Sequence, residues 1–128
     1  MLLPDAASQA SRIEVVRIAD PVSAHGWDSV TGEVLTVWET GHLRQALELM
    51  GALPEGDLRR CFAPGYGIRA HGPGGLLFGI SFCFSCHGVW LAGPEVPSDL
   101  HGMQAFDADS PPARELLHRF RTSAGNPA

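Results

Sequence analysis

The chain has 128 residues, of which 45% are hydrophobic and 18% charged, with a formal net charge of −5. That length makes one domain able to bury about two thirds of the surface its unfolded chain exposes, so folding requires neither disulfide nor metal. The acidic balance argues against a nucleic-acid partner, and no run approaches the roughly 18 apolar residues of a membrane span.

In chain order, residues 1–11 carry no strong pattern and are expected to be flexible. "RIEVVRIAD" (12–20) is rich in β-branched residues and predicts a strand, followed by a turn-dense loop over 21–32. "EVLTVWE" (33–39) alternates as a strand covered on both faces. Leu43, Ala46, Leu47 and Met50 then fall at helical spacing, with Thr40 as N-cap and Gly51 and Pro54 as terminators. "GYGIRA" (65–70) and "LLFGISFCF" (76–84) flank "HGPGG" and predict a hairpin; "HGVWLAG" (87–93) adds a short β segment. Residues 94–110 read as a long connector. Ser110 as N-cap, Pro111 at the first helical position, and Ala113, Leu116, Leu117 and Phe120 on one face predict a second helix, with 122–128 flexible beyond it. The order β-β-α-β-β-β-α predicts an α+β fold over 1–128, an antiparallel sheet of about five strands with two helices packed on it.

All nine basic residues are Arg, a bias that points to a GC-rich, bacterial genome and to no function. The first residues lack the positive region of a signal peptide, so the expected location is cytoplasmic, where the three cysteines stay reduced unless ligated or catalytic.

Cys83-x-x-Cys86-His87 matches the attachment signature for c-type haem. The decisive variable is the backbone path at Phe84-Ser85. A straight strand would put the two thiols on opposite sides, about 10 Å apart, with Phe78, Ile80, Phe82, Phe84 and Cys86 on the core face. A turn would bring both thiols together as half a zinc site, with Cys61 and His71 or His87 as further ligands. The alternation is clean and the turn would contain no glycine, so the straight path is favoured. The readings stand in this order: small buried hydrophobes, a zinc thiolate site at Cys61, Cys83 and Cys86 with His87, a nucleophilic or redox thiol, and last covalent haem. The haem motif normally opens a helix in an exported protein, whereas here it sits in β-type sequence; Met50 or Met103 would be the distal ligand.

Other residues give weaker signals. His25 and Trp27 share a loop, and Tyr66 and Arg69 share a predicted strand, so these four make a candidate ligand- or partner-binding surface in which Arg69 would hold an anion. Asp107 and Asp109 complement the positive end of the second helix. No nucleophile-elbow, zincin or paired-acid motif is present.

"HGWDSVTGEV", "CFAPGYGIRA" and "ISFCFSC" together resemble a group of small uncharacterised bacterial proteins. In that group a His-Gly-aromatic stretch precedes Cys-Phe-x-Pro-x-x-Gly-Ile-Arg and then Cys-Phe-x-Cys. The likeness spans residues 25–90 and implies that Cys61, Pro64, Gly67, Ile68, Arg69, Cys83 and Cys86 occupy motif positions. Members carry Arg-His before Gly-Ile-Arg, whereas this chain has Gly65-Tyr66. The resemblance implies no activity.

The sequence is therefore read as a cytoplasmic binding or accessory domain without catalysis, its cysteines mainly buried. Its partner is an unidentified protein or small molecule, not nucleic acid or membrane. A zinc thiolate site and a thiol enzyme are the alternatives.

Overall fold

Alternation along the first strand separates two environments: Ile13 and Val15 are fully buried while Arg12 before them and Glu14 between them remain half-buried. The computed structural model describes residues 1–19, 28–59 and 62–125. Its elements are β1 (Arg12–Ile18), β2 (Gly32–Glu39), α1 (Thr40–Gly51), β3 (Tyr66–Gly72), β4 (Gly75–Cys83), β5 (Gly88–Ala92), β6 (Gly102–Ala105) and α2 (Pro111–Ser123). The strands form one antiparallel sheet in the order β2-β1-β3-β4-β5-β6. The α+β class read from the sequence holds, with six strands where about five were expected. The extra strand is β6, inside the stretch taken for a connector. It is only four residues long and has one large apolar residue, Met103, which is too little to show a period of two.

One face of the sheet carries the core. Ile13, Val15, Ile68, Ala70, Phe78, Ile80, Phe82, Val89 and Leu91 point into it, and both helices close over them through Ala46, Met50, Ala113, Leu116 and Phe120. Phe120 sits at its centre, 5.6 Å from Trp38, 5.3 Å from Tyr66, 5.2 Å from Phe82 and 6.0 Å from Phe84, ring centre to ring centre.

Of two capping expectations, one is corrected and the other holds in position. Thr40 is the first helical residue rather than the N-cap, which is Glu39 in extended conformation. Ser110 does occupy the N-cap of α2, with Pro111 following, but its hydroxyl donates backward to the Asp107 carbonyl (2.7 Å) instead of capping. Residues 1–11, expected to be flexible, form a short 3-10 helix over Asp5–Gln9 and pack Leu3, Ala6, Ala7 and Ala10 against the core. Leu2 exchanges two hydrogen bonds with the Gln104 side-chain amide, each 2.9 Å. At the opposite edge, the β1–β2 register pairs Val15 with Thr36 and Val16 with Val34, which leaves Leu35 as a bulge.

Candidate functional site

The second face of the sheet is where the chemistry-bearing residues gather. Phe82 faces the core, so Ser81 and Cys83 on either side of it face away. After Cys83 the chain does not run straight. Residues 84–87 form a turn joining β4 to β5, with the His87 amide donating to the Phe84 carbonyl (3.2 Å). His87 takes the left-handed conformation, φ 55°, which replaces the glycine that the sequence lacks; His tolerates that region better than most side chains. The favoured straight path, which placed Cys86 on the core face, is therefore overturned. Cys83 and Cys86 are joined as a disulfide with their Cα atoms 5.1 Å apart.

Both cysteines are buried, and they form a small second cluster with Phe62, against which Trp90 and Met103 pack. Gly88, directly opposite Cys83 in the β4–β5 register, makes room for this cluster. A Cβ at Gly88 would lie 2.5 Å from Leu58 Cδ1, 3.3 Å from Met103 Sδ and 3.7 Å from Phe62 Cδ1. The missing side chain is thus replaced by a thioether and two apolar groups. The Arg59 amide donates to the Cys86 carbonyl (2.7 Å), holding the covering segment down.

Of the expected metal ligands, Cys83 and Cys86 are brought together, while Cys61 lies outside the described residues. His87 is buried, and its Nδ1 accepts from the Ala108 amide (3.1 Å), so the neutral ring carries its proton on Nε2. Among the described residues, no group of three or more His, Cys, Asp or Glu is arranged to hold a metal ion. His71, the other histidine considered beside the thiols, instead meets Glu14 Oε1 at 2.5 Å.

The expected ligand surface is divided. His25 and Trp27 lie outside the described residues. Tyr66 and Arg69 are three apart on β3 and so point to opposite faces: Tyr66 stacks on Phe120 in the core, and Arg69 lies on the second face. The Arg69 guanidinium is already engaged, with Nε 3.1 Å and Nη2 3.4 Å from the two Glu14 oxygens and Nη1 donating to the Val30 carbonyl (3.2 Å). Burial pushes the Glu14 carboxyl up, but the hydrogen bonds and charges of His71 and Arg69 together outweigh it and hold the pKa below the ordinary carboxylate value.

Sequence reasoning missed the tie between Asp28 and β5. Asp28 Oδ1 accepts from Trp90 Nε1 (2.9 Å) and lies 3.0 Å from His101 Nε2, and the His101 ring stands edge-on to Trp90. These partners are more than sixty positions apart in the chain, and no local signal announces them. Met103 was noticed only as a haem ligand. Its pairing with Trp90 across β5–β6 is what brings it to the cysteines.

No family model, curated protein or solved structure matches the chain. Among the described residues, no helix is long and apolar enough to cross a membrane.

Proposed function

We propose that this chain is a small non-catalytic accessory domain whose Cys83–Cys86 pair alternates between disulfide and dithiol. The observation that carries this reading is the pair itself: two sulfurs joined across a four-residue turn, on a sheet face separate from the main core. A loop that short gains little from cross-linking. Loop-closure entropy gives about 2 kcal/mol for four residues, against about 4.7 kcal/mol for a hundred. The fold's large buried core does not depend on so weak a link, so breaking it leaves the domain standing. That property suits a switch better than a staple. The neighbouring His87 is committed to the Ala108 amide through Nδ1, which favours a responsive pair over an activated nucleophile.

The test is equilibration of the full chain in glutathione buffers of graded poise, followed by alkylation and mass measurement. The expected result is a reversible loss and recovery of two alkylations at Cys83 and Cys86, with a midpoint above about −300 mV, the range below which structural disulfides lie. A pair that stays oxidised throughout overturns the reading. Unfolding by urea should show the reduced form weaker by no more than about 2 kcal/mol.

A zinc site is the second reading, favoured by one observation: Arg59 and Phe62, on either side of Arg60-Cys61, both contact the cysteine turn. Zinc recovered near one ion per chain and lost in both Cys83→Ser and Cys61→Ser would support it.

A further inference from the structure

We infer that the reduced cysteine pair and the Met103 thioether together form a site for a soft monovalent cation, Cu(I). This rests on the pair being reversibly reducible, as proposed above. Three sulfurs converge on the space above Gly88. Cys83 is its partner in the β4–β5 register, Met103 Sδ reaches to 3.3 Å from where its Cβ would be, and Cys86 packs in the same cluster. The surroundings are largely apolar, with Leu58 and Phe62 over Gly88 and Trp90 alongside, and the Ser85 hydroxyl lies 3.7 Å from Cys83 Sγ.

The donor set selects the ion. Thiolates and thioethers are soft ligands, and Cu(I) accepts two or three of them, whereas a structural zinc ion takes four donors from Cys, His and carboxylates. Among the described residues no third Cys, His, Asp or Glu joins the pair, so the donors they supply are the two thiolates and the Met103 thioether. Two thiolates and one Cu(I) leave a single negative charge, and the thioether adds none.

Two chemical steps are involved. Two glutathione thiols reduce the disulfide: the Sγ–Sγ bond breaks, each protein sulfur takes one proton, and glutathione disulfide is released. Cu(I) then replaces the two thiol protons, which pass to solvent, with no change of oxidation state. Oxidation of the pair removes both thiolates and with them the site.

The experiment uses the full chain, reduced with dithiothreitol, desalted under anaerobic conditions and counted for free thiols before metal is added. It is then titrated with Cu(I) against bicinchoninate as a coloured competitor. We expect one Cu(I) per chain, no uptake by Cys83→Ser or Cys86→Ser, unchanged uptake by Cys61→Ser, and affinity about tenfold weaker in Met103→Leu. X-ray absorption at the copper edge should count one sulfur neighbour fewer in Met103→Leu, a readout that a merely structural methionine would not move. Tryptophan emission quenched by Cu(I) in the wild type but not in Trp90→Phe would place the ion beside β5. Thiols that resist dithiothreitol overturn the redox reading and the copper site with it. Free thiols without copper uptake, or uptake indifferent to Met103, overturn the copper site alone. Zinc bound more tightly than Cu(I) and dependent on Cys61 would also overturn it.

Discussion

Phe120→Ala should lower the unfolding free energy by about 3–5 kcal/mol, the range for deleting a buried aromatic ring. Phe120 has no exposed surface, and its ring meets four others drawn from β2, β3, β4 and the cysteine turn. Substitution therefore removes one ring's transfer energy and also leaves a void that Trp38, Tyr66 and Phe82, fixed on a sheet, cannot collapse to fill. Urea unfolding read by tryptophan emission measures the loss. Phe120→Leu should retain part of it because less volume is vacated. A loss below about 1 kcal/mol would mean that α2 is not the lid of this core.

Glu14→Ala should cost about 2 kcal/mol and change the acid limb of the stability curve. The expected value lies below the 3–5 kcal/mol of a fully buried broken pair because both partners keep some solvent contact. Glu14 is the common acceptor for Arg69 and His71, so its removal leaves two donor groups on the second face without their carboxylate. Because the folded Glu14 pKa lies below its unfolded value, its contribution is fully present above the ordinary carboxylate range and is lost as pH falls through the folded value. Wild-type stability should accordingly fall more steeply with acid than that of Glu14→Gln, which keeps the shape and loses the charge. Parallel curves for the two proteins would show that the ion pair contributes nothing.

Arg69 shows what a sequence can and cannot reveal. Its strand was legible from "GYGIRA" and the turn glycines after it, and so was the outward direction of its side chain relative to Ile68 and Ala70. Its partner was not legible, because Glu14 lies on β1 and meets Arg69 only through a register set fifty-five positions away. The division between Tyr66 and Arg69 was available from parity alone: the three-residue rule applied to Cys83 and Cys86 separates those two side chains as well. It failed for the cysteines because the strand ended, and His87 supplied a turn conformation that composition assigns to glycine. Both helices were legible from their apolar spacing, which local sequence determines directly. β6 was not, since a short strand at a sheet edge is defined by its neighbour β5 rather than by its own pattern.

The two borders of the sheet differ in how they resist self-association. Backbone groups along an unpaired strand are a template on which another chain can grow. At β6 the edge is shielded from within, because the Gln104 side-chain amide exchanges two hydrogen bonds with the Leu2 backbone and holds that segment beside it. At β2 the protection lies in shape and charge, with a bulge at Leu35 and carboxylates at Glu33 and Glu39 framing the exposed Val34 and Val37. Concentrated preparations should stay free of fibrils, and the border to watch is β6, an uncharged strand from which replacing Gln104 would release the Leu2 segment.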